Sequence, residues 1–420
     1  MQKTLVVAGG GAAGFFCAVT AARYNPELKV ILVEKTGKLL SKVKVSGGGR
    51  CNVTHSCFSI PEMAKKYPRG GNFVKKTFHQ FFTTDTIQWF EERGVSLKTE
   101  DDGRMFPVSN SSQTIIDCLM QEATTYRVEI RLHHEIKTID FSGKDSPAVI
   151  HFGNDLQLRA DYICLASGGY PKTSQFDWIL QTGHTLEPPV PSLFTFNMPG
   201  NSITSLMGIS VPEATVKINA SPLKEQGPLL ITHWGLSGPA ILKLSAWGAR
   251  MLKEKEYRFE VKVNWMGSRT DQSIREEIQY LRELSGAKKI KQKNPWGLPQ
   301  RLWDYLLEEA GIKDIHWADL PSAAQNKLIQ LLCNQTLQVE GKTTFKEEFV
   351  TAGGVHLSEI NHQTMESRIR PGLYFAGEVL DVDGVTGGFN FQNAWTSGFI
   401  AGKSIALESS RANELGTNLQ

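Results

Sequence analysis

The first apolar segment is residues 5–8 (LVVA), with no polar position inside it and a run of three glycines, Gly9 to Gly11, directly after it. Such a run closed by glycine reads as a buried strand ending in a tight turn. Residues 12–24 are then dominated by apolar and small side chains and stop at Asn25-Pro26, which predicts a buried helix halted by proline. Residues 30–33 (VILV) repeat the buried-strand pattern, so the chain opens as a strand, a helix and a second parallel strand.

The stretch 46–70 lacks periodicity and reads as a basic loop. Over 73–93, Phe78, Phe81, Phe82, Ile87, Trp89 and Phe90 recur as on the core-facing side of an amphipathic helix. Short alternating runs at 128–137 and 148–159 predict a small meander, and 162–166 predicts another buried strand, ending at Ser167-Gly168-Gly169. The cluster Pro188, Pro189 and Pro191 predicts a domain boundary. Beyond it, 192–265 alternates like antiparallel β structure, most clearly at 216–218 and 257–263. Residues 273–333 are mainly helical around a basic linker at 288–293. From about residue 346 the glycine–strand–glycine style of the first domain resumes. The pattern predicts an α/β protein with a Rossmann-like nucleotide-binding domain from 1–190 plus 346–420. An inserted β domain at 191–270 and a helical subdomain at 271–345 complete it.

A length of 420 residues, 40% hydrophobic and 21% charged, calls for more than one core in a soluble protein. No apolar run approaches the roughly 20 residues of a membrane helix, and the start lacks a signal-peptide layout, so a cytoplasmic location is expected. Six cysteines without any C-x-x-C pair read as free thiols, and no metal site is expected. The net charge of +3 conceals an asymmetry: residues 1–76 hold thirteen Lys or Arg against Glu27, Glu34 and Glu62, leaving −7 for the rest. A bound pyrophosphate would use only part of that surplus. The remainder is either a solvated basic face or a surface for a larger anion such as nucleic acid.

Gly9-Gly10-Gly11-Ala12-Ala13-Gly14 satisfies G-x-G-x-x-G between a strand and a helix, and Glu34 follows twenty residues after Gly14. Gly9 suits the tight turn, Gly11 the approach of a pyrophosphate and Gly14 close helix packing, while Glu34 suits an adenosine ribose. A second motif, Lys42 to Val53, contains Ser46-Gly47-Gly48-Gly49-Arg50-Cys51-Asn52, whose glycines let the backbone lie against a flat ring. Arg50 and Asn52 suit phosphate or carbonyl contacts. A third runs from Gly377-Glu378 to Gly387-Gly388-Phe389-Asn390-Phe391 and opens an apolar helix to about residue 407. Glu378 is placed for ribityl hydroxyls and the helix dipole for the N1/C2 edge of a reduced isoalloxazine. Together the motifs favour FAD over NAD.

These motifs, with Ala166-Ser167-Gly168-Gly169, His233-Trp234-Gly235-Leu236-Ser237-Gly238-Pro239 and Thr351-Ala352-Gly353-Gly354, resemble the BaiN/YhiN group of flavoproteins, often labelled aminoacetone-oxidase-like. The resemblance covers nearly the whole chain. It implies a two-dinucleotide-binding-type FAD domain with an inserted β-barrel and a small helical subdomain, with Lys35, Lys42 and Ile136 among the cofactor contacts. It also implies three chemistries: amine oxidation, reduction of steroid-like bile acids, and reduction of a uridine in large-subunit ribosomal RNA to dihydrouridine. Glu378 departs from the Gly-Asp ending usual in broader FAD enzymes.

No second G-x-G-x-x-G is present, so a transiently docked NAD(P)H is the expected reductant, unless the substrate itself reduces FAD. Reduction of an enone or uracil also needs a proton donor. Cys51, beside Arg50, is the first candidate, though it equally reads as a packed thiol; Cys57 is the alternative. His233 reads as a structural histidine before a helix capped by Ser237, or as a proton donor. Lys42, Lys65, Lys66, Arg69, Lys75 and Lys76 are candidate RNA contacts, and Tyr67 among them offers a ring that could stack.

Overall fold

The computed structural model describes residues 2–141, 143, 146–153, 155–292, 294–343 and 350–417. The chain divides into two compact units, Met1–Pro191 with Lys346–Gln420, and Ser192–Phe345. The basic linker's Lys293, and the segment 344–349 where the first pattern was expected to resume, lie outside the described residues.

The first unit is organised by five parallel strands: β1 (Thr4–Ala8), β2 (Lys29–Val33), β3 (Glu129–Arg131), β4 (Tyr162–Leu165) and β5 (Leu373–Phe375). Their spatial order is β5-β4-β1-β2-β3. The continuous apolar runs of β1, β2 and β4 follow from burial on both faces of a parallel sheet. The chain steps outward from β1 to β2 and β3, then returns to the other side of β1 for β4 and β5. That reversal is where open α/β sheets form a ligand crevice. Register sets Ala8 beside both Val33 and Leu165, and Leu165 beside Phe375, so the segments leaving these strands share one edge. Backbone bonds hold them there: Gly9 N donates to Val33 O at 2.8 Å, Ala166 N to Ala8 O at 2.8 Å and Ala376 N to Leu165 O at 2.9 Å.

Helix α1 (Ala12–Tyr24) is buried from Ala13 through Ala22. It lies against the last helix, α2 (Phe389–Thr417), which runs beyond the expected end near 407. Gly398 and Gly402 are one helical turn apart and face α1. A Cβ on Gly398 would stand 2.5 Å from Ala13 O, and one on Gly402 2.4 Å from Cys17 O. Phe16 on α1 meets Phe81, Trp89, Phe90 and Trp395, so the aromatic residues of the 73–93 stretch are core. That stretch forms two helices, Gly71–Thr77 and Thr83–Glu91, because the Asp85 carboxylate accepts from Phe82 N at 2.6 Å and starts a new helix there. The expected loop at 46–70 contains the end of a short helix, Ser41–Gly49, then strand Thr54–His55 and helix Ile60–Ala64. The run at 128–137 serves two sheets: Glu129–Arg131 joins the parallel sheet, while Ile136–Asp140 pairs with Ala148–Phe152 and that with Gln157–Ala160. The proline-rich strand Leu186–Ser192 pairs with Val350–Val355 at the exit to and return from the second unit.

The second unit carries a seven-stranded antiparallel sheet. Its end strands, Gln335–Glu340 and Lys342–Thr343, are separated in sequence only by Gly341, so the sheet curls round to bring its two edges together. The helices Asp271–Ser285, Gln300–Glu309 and Ser322–Asn334 share one apolar core with this sheet: Ile274, Leu302, Trp303 and Leu328 pack in the same cluster as Val216, Val261 and Leu337. The β and helical segments expected as separate subdomains thus form a single unit. Among the described residues, no helix is long and apolar enough to cross a membrane.

Replacing Gly398 by Val sets two effects against each other. Leaving glycine inside a helix gains at most about 1 kcal/mol, whereas overlap with a backbone oxygen in a packed interior costs roughly 1–3 kcal/mol or more. Gly398→Val is therefore expected to lower the midpoint of chemical unfolding, and a neutral result in a denaturant titration would contradict the tight α1–α2 contact.

Candidate cofactor site

At the sheet's crevice, Gly9 has φ +122°, and a Cβ there would lie 2.3 Å from Ala166 O; no other residue fits this turn. A Cβ on Gly14 would lie 1.9 Å from Gly9 O, so the helix can start directly above the strand only with glycine there. Gly11 differs: it is the N-cap of α1, no side chain caps the helix, and nothing stands within 4 Å of where its Cβ would be. The uncapped first turn, Ala12, Ala13 and Gly14, beside the open space at Gly11, fits a pyrophosphate.

The Glu34 carboxylate is fixed beside this turn. Its Oε2 accepts from Gly10 N at 2.9 Å, and its Oε1 accepts from Thr36 N and Oγ1, each at 2.9 Å. Next to it lies a cavity of about 350 Å³ walled by Gly9, Glu34, Lys35, Ile136, Ser167 and Tyr170, a volume suited to part of a dinucleotide. Lys35 Nζ sits 4.8 Å from the Tyr170 ring centre, and burial raises the Tyr170 pKa, keeping the phenol neutral. Tyr170, which directly follows Ser167-Gly168-Gly169, lines this cavity, as do His134, Trp178 and Gln181, which belong to no recognisable motif.

Further along, both oxygens of Glu378 are engaged: Oε2 with Lys42 Nζ at 2.5 Å and Oε1 with Thr351 N at 2.8 Å. Thr351 Oγ1 and Asn393 Oδ1 are buried without a hydrogen-bond partner among the described residues. Thr351 adjoins Glu378, and Asn393 O accepts from Ser397 Oγ, which itself accepts from Gly377 N at 2.9 Å. Unsatisfied polar atoms around a fixed carboxylate fit a polyhydroxylated chain such as ribityl.

The two glycine motifs are joined into one cradle. Gly47, Gly48 and Gly49 all have positive φ, and the Cβ positions of Gly48, Gly49 and also Gly168 meet nothing within 4 Å. Ser46 O accepts from Cys51 N at 3.0 Å and turns the chain back. The Asn52 amide donates to Thr54 O and accepts from Gly388 N, both at 2.9 Å, and His55 Nδ1 lies 3.2 Å from Gly387 O. Asn390 clamps Gly384 from both sides, at 2.8 and 2.9 Å. Phe389 packs on His55, and Phe391 stacks on Trp395, whose indole donates to Val53 O at 2.9 Å.

Five sequence expectations change. Cys51 is 0% exposed and its pKa is pushed up to about 12 by burial, which outweighs a hydrogen bond with Ser46; it borders no open space and is a packed thiol rather than a proton donor. Arg50 binds Glu100 at 2.5 Å and lies 4.0 Å over the Phe106 ring, so its charge is taken by a neighbouring carboxylate rather than left for a phosphate. Arg69 is ion-paired to the fully buried Asp383, which removes it from the surface lysines. Tyr67 is 3% exposed and donates to Phe389 O at 2.6 Å, leaving no face for stacking. In the second unit, exposed His233 occupies the turn between Lys224–Thr232 and Gly235–Ser237, its ring edge-on to Trp234. The helix Pro239–Trp247 is started by Gly238 with φ +94° and Pro239, without a Ser237 cap.

Two measurements follow from this geometry. Gly11→Val should keep the unfolding transition of the cofactor-free protein but abolish flavin retention, since the added methyls enter space that the fold leaves open. Native-state alkylation read by peptide mass spectrometry should label half-exposed Cys57 well before Cys51. Equal labelling would place Cys51 at an open surface after all.

A protein-family model described as "HI0933-like protein Rossmann domain" matches residues 3–404. The chain is 30% identical to a ribosomal RNA dihydrouridine synthase of Escherichia coli, covering 96% of this chain and 98% of that protein. It is 26% identical to a 3-dehydro-bile acid delta(4,6)-reductase of Clostridium scindens, covering 95% and 98%. In fold, it is similar to a 3-ketosteroid-delta4-(5alpha)-dehydrogenase from Rhodococcus jostii, with TM-score 0.52 and 14% identity over 96% of this chain and 97% of that one. A flavocytochrome c3 fumarate reductase gives TM-score 0.51 and 18% identity over 97% and 79%. With a family model spanning almost its whole length and a Rossmann cradle shaped for a dinucleotide, the chain belongs to the HI0933-like family and is an FAD-dependent oxidoreductase.

Proposed function

We propose that the chain saturates the carbon–carbon double bond of a uridine in ribosomal RNA, giving dihydrouridine, with NAD(P)H docking transiently as the reductant. The observation that carries RNA over a small molecule is the basic surplus that stays at the surface. Lys3, Lys29, Lys42, Arg50 and Arg69 are each matched by a carboxylate, while Lys66, Lys75 and Lys76 are exposed and form no ion pair among the described residues. The dihydrouridine synthase relative, similar over nearly the full length of both chains, supports the same reading.

Bound FAD supplies the hydride equivalent for such a reduction. The chain's own part is to bind, orient and protonate. The α1 N-terminus would hold the pyrophosphate, Glu34 the adenosine ribose, and Glu378, braced by Lys42 and Thr351, the ribityl chain. The N-terminus of α2 at Gly388-Phe389 would favour negative charge on a bound flavin. With Cys51 packed away, the proton donor is Cys57, whose half-exposed thiol follows His55 by two residues where that ring meets Gly387. A small-molecule enone reductase is the second reading, favoured by the bile-acid reductase relative, whose named reaction also saturates carbon–carbon bonds.

Mass spectrometry of ribosomal RNA from cells with and without the gene tests the substrate. Dihydrouridine that disappears on deletion and returns with the intact gene is the expected result; an unchanged level transfers the proposal to enones, with flavin reoxidation as the readout. Cys57→Ala should cut turnover at least tenfold while leaving the flavin absorbance intact, and undiminished turnover would remove the donor role.

A further inference from the structure

The segment between the two cradle motifs carries an exposed aromatic ring and four exposed lysines, and it is tied to the cofactor cradle. Phe58 is 59% exposed, a large apolar ring left in water. It follows His55, which meets Gly387 O, and precedes helix Ile60–Ala64. After that helix come Lys65 and Lys66, then the strap Tyr67–Arg69 with its buried tyrosine, then helix Gly71–Thr77 with Lys75 and Lys76 in its last turn. The two short helices pack against each other.

The strap ties this hairpin to the cradle at four points. Tyr67 donates to Phe389 O, Arg69 pairs with Asp383, Val385 N donates to Lys66 O at 2.9 Å, and a Cβ on Gly70 would lie 2.6 Å from the Val382 side chain. Lys66 is therefore a direct backbone neighbour of the loop that leads into Gly387-Gly388. Four exposed lysines stand against one exposed carboxylate, Glu62, which is paired at 2.7 Å with Lys65 in a surface contact of small energetic worth.

We propose that single-stranded RNA docks on this helical hairpin, with Phe58 as the stacking platform for a base beside the reacting uridine and Lys66, Lys75 and Lys76 as phosphate contacts. The inference rests on the RNA reading above and adds where and how the strand is held. An aromatic face takes any base, and lysines take the backbone without reading sequence. A base reduced at its ring must leave its stack, and an exposed ring next to the cradle offers its neighbour a replacement partner. The arrangement moves the stacking role from Tyr67, which the strap consumes, to Phe58.

Fluorescence anisotropy of a labelled oligouridine of about 12 nucleotides, titrated with FAD-loaded full-length protein at several salt concentrations, tests this. Phe58→Ala should weaken binding roughly tenfold with an unchanged salt slope, and Phe58→Tyr should restore it. Lys75→Glu with Lys76→Glu should instead flatten the slope by about two units. The same Phe58 variants are scored for ribosomal dihydrouridine in cells. If dihydrouridine depends on the gene but Phe58→Ala leaves both binding and modification intact, the platform falls and the RNA reading stands. If the wild type neither binds the oligonucleotide nor modifies ribosomal RNA, the RNA reading itself falls.

Discussion

Helix α1 is held at backbone contact distance on two sides, and the cofactor cradle depends on that confinement. On one side Gly14 brings it against the turn after β1; on the other Gly398 and Gly402 bring α2 against Ala13 O and Cys17 O. Because α1 points its uncapped N-terminus into the crevice, any shift along these contacts moves the helix end relative to the strand ends it serves. Such contacts leave no side chain to yield, so the helix is fixed by backbone alone, with Phe16 and its aromatic neighbours filling the space beside it.

Charge is organised on the same plan. Two cations close to the crevice are matched internally, Lys42 by Glu378 and Arg69 by Asp383, and in each pair the carboxylate belongs to the C-terminal motif. The buried Arg69–Asp383 pair is costly to break and adds little by itself. Its effect is positional, fixing the hairpin of Ile60–Ala64 and Gly71–Thr77 to the loop before α2. Cations farther along that hairpin remain in water. The result is a cradle whose Lys42 and Arg69 charges are satisfied inside, with a positive rim outside.

The first three elements were legible to within a residue, because a strand buried on both faces and a helix buried all round leave unbroken apolar runs, and glycine turns punctuate them. Sheet order was not legible, since β3 is three residues long and the alternating run that contains it also feeds a different sheet. The glycine motifs marked their own region, yet neighbouring side chains misled: Arg50, Cys51 and Tyr67 look reactive in sequence, and each is spent on a local partner or on packing. Trp178 and Gln181 wall a cavity from a segment with no pattern at all. The helices at 271–334 looked independent because amphipathic periodicity reveals that a helix has a partner but not which one.

The cradle's closing hydrogen bonds span 332 to 342 positions, from His55, Thr54 and Val53 to Gly387, Gln392 and Trp395. Loop closure over such a distance comes late, and during synthesis the N-terminal motifs emerge long before their partners exist. The second unit, by contrast, is one continuous segment with its own core. A growing chain can therefore complete the inserted unit while α1 still lacks α2, leaving the apolar faces of α1 uncovered until α2 leaves the ribosome. Capture of the cofactor accordingly waits for α2, and loss of that helix would cost the flavin site as a whole rather than one of its edges.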